Sequence, residues 1–282
     1  MKTILLPTDF SKNSLNTIDF AMNMFKGIDC AFYILNVQKA SSFVSDDLMT
    51  ASPSVNLYQA IIDTAKKSLD NLISTIKSKH NNTNHELIPI VDYDNFIDAI
   101  NQICEVNKIE MIIMGTKGAS GLEKTIFGSN TVRVMQRSTT PVLAIPDDYK
   151  YKHFKKAAFL SNYLTAYRND DLSVFLEIIG LHKPSVDVLH VSQGEALTAT
   201  QKENIKLLDG FLAEISHNFV ELNGDDVYKE VNNFIKLNKI DLLAMVNRKH
   251  SFFERFLSTQ KVEDFGFNTD IPFLVMHKQE SL

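Results

Sequence analysis

The sequence predicts an α/β protein of two tandem domains, each with a parallel β-sheet covered by helices. Short β-branched or aliphatic runs alternate along the chain with longer segments of helical periodicity, which is the pattern of parallel strands joined by crossover helices. The same order of elements occurs in both halves of the 282 residues. Hydrophobic residues make up 44% of the chain, so each half has enough apolar side chains for a core of its own.

Each half contains five apolar runs that are predicted as strands. In the first half these lie at 3–8, 31–37, 86–91, 110–115 and 141–145, with helices at 12–26, 56–79, 95–107 and 129–138. In the second half they lie at 156–161, 186–191, 218–222, 241–246 and 272–276. Asp94 and Ser129 stand where the third and fourth helices are predicted to begin, and their side-chain oxygens are suited to cap free backbone N–H groups.

The two halves also align residue by residue, which indicates an internal duplication. KTILLPTDF at 2–10 aligns with KKAAFLSNY at 155–163, an offset of 153 residues. From Met114 onward the offset is 131, and that register pairs Pro141 with Pro272. The second copy is therefore 22 residues shorter in between.

The polar, Ser-rich segment 39–54 is the predicted location of this extra length, as a loop. The charged segment 147–156 is predicted to be a short solvated linker. The expected domains are residues 1–147 and 155–282.

Composition excludes several classes of function. The net charge of −5 and the lack of a long basic run disfavour a nucleic-acid partner. Cys30 and Cys104 lie far apart, which indicates buried thiols in a reducing compartment rather than a disulfide framework or a metal site. The apolar run before Pro7 is too short for a signal peptide, and no run is long enough to span a membrane. We therefore expect a soluble cytoplasmic protein.

The segment MGTKGASGLEKTIFGSNT at 114–131 carries the main functional signal. It follows a predicted strand and leads into a predicted helix, and its glycines give the pattern G-x2-G-x9-G-S. Gly115 and Gly118 allow close backbone approach to a ligand, whereas Gly128 and Ser129 lie at a helix N-terminus, where N–H groups favour anions. Lys117 adds positive charge. This pattern is neither a P-loop nor a GxGxxG motif, and a flexible strand-to-helix connection is the alternative.

Asp9 follows the first predicted strand at the same edge of the sheet. In open parallel sheets, ligands bind beyond the carboxyl ends of the strands, and acidic residues there accept hydrogen bonds from ribose hydroxyls. Asp9 is therefore a candidate ribose ligand, and an N-cap for the helix that begins near Ser11 is the equally weighted alternative.

With these residues, the chain resembles the universal stress protein family, specifically its tandem-domain members. The glycine pattern matches the ATP-binding motif of that family, ILLPTDFS at 4–11 is similar to its first strand, and STTPVLAIP at 138–146 to its closing strand. The resemblance implies two Rossmann-like domains of the adenine nucleotide alpha hydrolase type, each with strand order 3-2-1-4-5. It also implies ATP as the ligand, with Mg²⁺ as a candidate companion ion.

The resemblance further implies residue roles. Asp9 would contact ribose, the backbone at Val37 would meet the adenine edge, and the glycine loop with the start of the next helix would hold the phosphates. The candidate cofactor-binding residues are Pro7, Thr8, Asp9, Val37, Met114, Gly115, Lys117, Gly118, Gly128, Ser129, Asn130 and Thr131. The family's dimers pair their fifth strands, so the tandem chain is expected to form an intrachain pseudo-dimer, with 142–145 against 273–276 and a homodimer as a further option.

The second copy departs from the motif. Val246, Lys249 and Thr259 replace the three glycines, Gln260 replaces the serine and Asn162 replaces Asp9. The second domain is therefore predicted to be a degenerate copy without a nucleotide, its His190 structural. The FFERF segment at 252–256 is expected to be a buried aromatic cluster rather than a docking patch.

Three functions remain open at this point. The leading one is a regulatory, stress-response protein that binds ATP in its N-terminal domain and acts on a protein partner not identified by the sequence. The second is a slow ATP hydrolase, and the third is an interaction module with both sites empty. No catalytic residues and no metal site are predicted. The adjacent carboxylates Asp46 and Asp47, and Asp225 and Asp226, would point apart on a helix or strand, and HExxH spacing and nucleophile motifs are missing from the sequence.

Overall fold

A computed structural model describes residues 1–38, 54–93, 95–116, 128–247 and 270–278. The predicted cluster at 252–256 lies outside these residues. The strands are β1 (Lys2–Pro7), β2 (Cys30–Val37), β3 (His85–Asp92), β4 (Met111–Gly115), β5 (Val142–Ile145), β6 (Lys156–Leu160), β7 (Ser185–Ser192), β8 (His217–Asn223), β9 (Leu242–Asn247) and β10 (Phe273–His277). The helices are α1 (Lys12–Met24), α2 (Ser54–His80), α3 (Phe96–Val106), α4 (Ser129–Arg137), α5 (Asn169–His182), α6 (Ala199–Phe211) and α7 (Val227–Asn238).

The described strands form one sheet in the order β3-β2-β1-β4-β5-β10-β9-β6-β7-β8. Each half contributes five parallel strands in the predicted order 3-2-1-4-5, and the alternation with helices confirms the predicted α/β fold class. In the middle, β5 and β10 run antiparallel, with Val142 opposite Val275 and Ala144 opposite Phe273. The carboxyl ends of the first five strands therefore lie at the opposite edge of the sheet from those of the second five.

Apolar side chains cover both faces of the sheet, and on each face the two halves contribute to one shared cluster. On one face, Phe20 and Phe32 of the first half belong to the same buried cluster as Phe159 and Phe175 of the second, beneath α1, α2, α5 and α6. On the other face, α3, α4 and α7 cover a second cluster that also draws on both halves. Because the cores are shared, we expect the two halves to stabilise each other.

Capping residues explain where most helices begin, but α3 and α4 have N-caps other than the predicted ones. Ser11 caps α1, its side-chain oxygen accepting from the backbone N–H of Ser14. Asn95 caps α3; Asp94, the predicted cap, lies outside the described residues. The prediction of Ser129 as a cap is wrong, because Gly128 is the N-cap of α4 and Ser129 is the first residue inside the helix.

The extra length of the first half is not confined to the predicted loop. Helix α2 has 27 residues whereas its counterpart α6 has 13, so this helix accounts for 14 of the 22 additional residues. The structure does not describe residues 39–53, where the rest of the predicted insertion falls. The apolar stripe of α2 continues to Leu69 and Ile73, which pack in the core over β2 and β3.

The segment between the halves differs in part from the solvated linker predicted at 147–156: most of its charged residues are exposed, but its aromatic residues pack against the protein. Phe154 is fully buried, and Tyr149 and Tyr151 are partly buried against the shared core. The carboxylate of Asp241 accepts hydrogen bonds from the backbone N–H of Lys155 at 2.9 Å and pairs with the ammonium of Lys152 at 2.6 Å. The charges signalled a linker, but the aromatic residues between them hold it against the protein.

Both cysteines are buried, as predicted. Burial raises the pKa of the Cys30 thiol to about 12 and that of Cys104 to about 11, so both are protonated at neutral pH. Among the residues that the structure describes, no helix is both long and apolar enough to cross a bilayer, and no group of His, Cys, Asp and Glu is arranged to hold a metal ion.

Candidate functional site

The turn after β1 is fixed by its own side chains. The hydroxyl of Thr8 accepts from the backbone N–H of Phe10 at 3.1 Å and lies 3.0 Å from the hydroxyl of Ser14 in α1. One carboxylate oxygen of Asp9 accepts from the backbone N–H of Ser11 at 3.0 Å, and Phe10 adopts a positive φ of 61°. This turn brings the predicted residues Pro7, Thr8 and Asp9 to the carboxyl edge of the sheet. The cap of α1 is Ser11, so the alternative reading of Asp9 as the N-cap is wrong.

The second half builds the same turn with other side chains. The hydroxyl of Ser161 accepts from the backbone N–H of Tyr163, whose φ is 57°. The amide oxygen of Asn162 accepts from the backbone N–H of Leu164 at 3.0 Å, as Asp9 does from Ser11. A neutral oxygen is therefore sufficient for this turn, and the turn alone does not account for the negative charge of Asp9.

A polar residue near the end of the second strand ties each turn to the sheet. The side-chain amide of Asn36 donates to the carbonyl oxygen of Thr8 at 2.8 Å. In the second half, Nδ1 of His190 donates to the carbonyl oxygen of Ser161 at 3.1 Å. This bond and the burial of the ring agree with the structural role that was predicted for His190. Val37 follows Asn36 at the same edge, paired with Asp92 of β3.

The close approach at Gly115 is made to the protein itself. A Cβ atom at Gly115 would lie 2.8 Å from Nδ2 and 2.9 Å from Cγ of Asn13 in α1. The first glycine of the pattern therefore lets α1 pack against the end of β4. This role differs from the predicted one, in which the bare backbone admitted a ligand. Gly115 keeps Asn13, and with it the turn at Asp9, close to the carboxyl end of β4.

We expect Gly115→Ala to lower the free energy of unfolding by about 1–3 kcal/mol, because the added methyl group overpacks the contact with Asn13. In an Asn13→Ala background the same substitution is expected to cost less than about 1 kcal/mol, since the colliding atoms are gone. Urea denaturation of the wild type, both single variants and the double variant measures this coupling. Equal costs in both backgrounds would contradict the packing role of Gly115.

The beginning of α4 faces the same edge. The backbone N–H of Gly128 donates to the carbonyl oxygen of Thr116 at 2.6 Å, and the hydroxyl of Thr131 donates to the carbonyl oxygen of Gly115 at 2.9 Å. These two bonds attach the first turn of α4 to the end of β4. Ser129 and Asn130 are exposed there, and the N-cap Gly128 offers no side chain to their N–H groups.

Thr116 is a further candidate site residue, which the sequence pattern did not single out. Its side chain is buried, and its Oγ1 has no hydrogen-bond partner within the described part of the chain. Hydroxyl groups in such positions are normally satisfied, so this one is available to a ligand or to groups beyond the described residues. Its place between two glycines of the pattern was the available signal. Asn13 was also missed, and only the fold shows that it meets Gly115.

The structure thus brings most of the predicted site residues to one edge. The side chain of Met114 is buried in the core, so only its backbone can face this edge. Lys117 and Gly118 lie outside the described residues. What is in place is an acidic turn, an open helix N-terminus and a buried hydroxyl, which together can bind a ligand with hydroxyl groups at one end and negative charge at the other.

At the corresponding edge of the second half, several side chains pack on the turn itself. The ring of Tyr163 is buried and lies 4.7 Å from the ring of His190, centroid to centroid. The side-chain amides of Gln201 and Asn204, on α6, donate to the carbonyl oxygens of Asn162 and Tyr163. Helix α6 therefore rests directly on the turn after β6.

This sheet of two sets of five parallel strands, with helices on both faces, defines a Rossmann-like α/β protein. The model of the universal stress protein family matches residues 1–146, just over half of the 282 residues. The chain belongs to the universal stress protein family.

Individual relatives agree with this assignment. Over 144 residues, 51% of this chain, it is 27% identical to a universal stress protein from Methanocaldococcus jannaschii and covers 81% of that protein. Over the same length it is 28% identical to universal stress protein A homolog 1 from Coxiella burnetii and covers 95% of it. The crystal structure of a universal stress protein from Archaeoglobus fulgidus matches 99% of this chain and 97% of its own, with a TM-score of 0.69 and 15% identity, which supports the fold.

Proposed function

We propose that the chain is a tandem universal stress protein that binds one ATP, in its first domain, as a regulatory ligand. The proposed domains are residues 1–147 and 155–282, the second being a degenerate copy. The β5–β10 pair would take the place of the contact between two separate copies. The observation that carries the proposal is the buried hydroxyl of Thr116, without a partner in the described residues, beside the open first turn of α4.

The polyphosphate would bind at this turn. The N–H groups of Ser129, Asn130 and Thr131 lack intrahelical acceptors, and the positive end of the helix dipole adds to their attraction for anions. Because the Thr131 hydroxyl is already bonded to Gly115, the contribution of Thr131 would come from its backbone. Lys117 and Gly118 remain part of the proposed site on sequence grounds.

The ribose would bind at Asp9. The turn does not require the negative charge of Asp9, since the neutral Asn162 accepts the same hydrogen bond in the second half. Asp9 is exposed at the edge that also holds the start of α4. A carboxylate beside the sugar accepts hydrogen bonds from the sugar hydroxyls and stays away from the phosphates, where its negative charge would be unfavourable.

The second domain would bind no nucleotide. Tyr163 is buried, α6 bonds directly to the turn after β6, and Val246 stands where the first half has Gly115. Asn247, which corresponds to Thr116, donates its amide to the carbonyl oxygen of Met135 at 3.2 Å and so is already satisfied. The first half would therefore hold the single site.

Stoichiometry tests the proposal directly. The protein is purified, denatured and analysed by chromatography for adenine nucleotides, and the refolded or stripped protein is titrated with ATP in the presence and absence of Mg²⁺ by calorimetry. One nucleotide per chain is expected. Two per chain would contradict the degenerate second domain, and none by either method would contradict nucleotide binding altogether.

A matched pair of variants tests the residue roles. Asp9→Ala and Asn162→Ala each remove the same turn hydrogen bond, worth about 0.5–1.5 kcal/mol of stability. Only Asp9→Ala is expected to weaken ATP binding, by about 10-fold or more, because it also removes a charged acceptor. Asp9→Asn should keep the turn and give an intermediate affinity. If both alanine variants bind ATP alike, Asp9 does not contact the nucleotide.

A further inference from the structure

The last turn of α4 is capped by the other half of the chain. Helix α4 begins beside β4 at the carboxyl edge of the first half and ends just before β5. Because β5 and β10 are antiparallel, the amino end of β5 lies next to the carboxyl end of β10. The nine residues of α4 therefore extend from the candidate ligand site of the first half to the strand ends of the second half.

Two side chains of the second half meet one carbonyl group of α4. Nε2 of His277, the last residue of β10, donates to the carbonyl oxygen of Met135 at 2.7 Å. The side-chain amide of Asn247, the last residue of β9, donates to the same oxygen at 3.2 Å. Met135 lies within the last four residues of the helix, whose carbonyls have no partner inside the helix. The C-cap Ser138 donates its own N–H to the carbonyl of Val134, and the second half supplies the donors for the next carbonyl, that of Met135.

The surroundings of His277 favour the neutral ring with its proton on Nε2, which the bond to Met135 requires. A carbonyl oxygen accepts only from a protonated nitrogen, so Nε2 carries the proton. Burial lowers the pKa of His277, which keeps the ring neutral, and its Nδ1 is buried without a partner among the described residues. The donor is therefore available across the neutral pH range.

We infer that Asn247 and His277 are positioning residues for the ligand site of the first half: by capping the carboxyl end of α4 they fix its amino end, and a ligand there strengthens their contact in return. This inference rests on the proposed nucleotide binding at that amino end. The effect is reciprocal for a thermodynamic reason: α4 links the free energy of ligand binding at its amino end to the free energy of the Asn247 and His277 contacts at its carboxyl end. The degenerate domain would then regulate the site without binding a nucleotide itself.

The test uses the full chain with both donors removed and the volumes kept, as Asn247→Leu with His277→Phe. The matched control is Asn238→Ala, which removes an amide-to-carbonyl bond at the end of α7, from Asn238 to Phe234, away from α4. The double variant is expected to bind ATP about 5-fold more weakly, at the lower end of typical coupling energies, whereas the control keeps the wild-type affinity. His277→Gln, which retains a donor, should recover part of the loss.

Hydrogen exchange of the α4 amides provides a readout that does not need the nucleotide. In the ligand-free double variant, the amides of 132–138 are expected to exchange faster by about 5-fold, and ATP should protect them less than in the wild type. If the wild type binds ATP and the double variant binds it equally well, the inference is wrong. If the wild type binds none, the proposed function fails, and the exchange rates decide alone: unchanged rates overturn the positioning role and faster rates support it.

Discussion

Phe154→Ala is expected to lower the free energy of unfolding by about 3–5 kcal/mol, because it empties a fully buried site. The ring stacks on His182 of α5, with centroids 4.4 Å apart, and lies 6.4 Å from the ring of Phe20 in α1. It therefore joins the first half, the connecting segment and the second half. Denaturation in guanidinium chloride, followed by circular dichroism and tyrosine fluorescence, measures the loss.

The control for this prediction is Leu164→Ala, at an exposed leucine of the second half, with an expected change within about 0.5 kcal/mol. Phe154→Leu, which keeps most of the volume, should cost about 1.5 kcal/mol or less. Because both cores are shared, all variants are expected to unfold in one transition. Two separate transitions, with only one of them shifted, would show that the halves fold independently.

Acidification is expected to destabilise the protein through His182. Burial, and secondarily the nearby His153, lowers the pKa of this residue to about 4. Its Nδ1 accepts from the backbone N–H of Phe154 at 3.0 Å, and a proton there would place two donors face to face. Between pH 6.5 and 4 the unfolded chain binds this proton and the folded chain does not. The free energy of unfolding therefore falls by on the order of 2–3 kcal/mol as the pH is lowered through this range.

His182→Gln tests the assignment, since the amide oxygen of glutamine can still accept from Phe154 but does not titrate. Its stability should fall less steeply between pH 6.5 and 4 than that of the wild type. His217→Gln is the opposite control: the carbonyl of Ile215 and then the carboxylate of Asp209 raise the pKa of His217, so it stabilises the fold at acid pH. Its removal should lower the stability throughout this range and leave the slope between pH 6.5 and 4 nearly unchanged. Identical slopes for wild type and His182→Gln would refute the role of His182. Asp241, whose pKa is lowered, loses its contribution only below about pH 4.

The fold could be predicted largely because its signals are local. Apolar runs and helical periodicity located the strands and the helices of the first half within two residues, and the repeat predicted that the sheet would be built twice. The connecting segment was misjudged because composition shows Lys and Asp but not what Phe154 packs against. Likewise, the cap of α4 could not be chosen between two adjacent residues, Gly128 and Ser129, since both are common at that position.

The sequence predicted which residues of the candidate site lie together at one edge, but not which contacts each of them makes. Strand ends and glycine spacing placed Asp9, Gly115 and Gly128 at one edge. Those contacts involve residues distant in sequence: Asn13 packs against Gly115, and the hydroxyl of Thr131 donates to the carbonyl oxygen of Gly115. The same glycine that suggested room for a ligand proved to be needed by a helix.

By itself, the sequence determined the family, the doubled α/β topology and the edge of the sheet where the candidate site residues lie, because periodicity, strand ends and glycine spacing act over short stretches of chain. Only the tertiary structure decided that Phe154 of the connecting segment is buried, that Thr116 keeps an unpaired hydroxyl within the described residues, and that Asn247 and His277 bond to the end of α4 across the central strand pair. These features arise from contacts between residues far apart in the chain. Whether a polar atom is satisfied depends on the three-dimensional neighbours that burial brings to it.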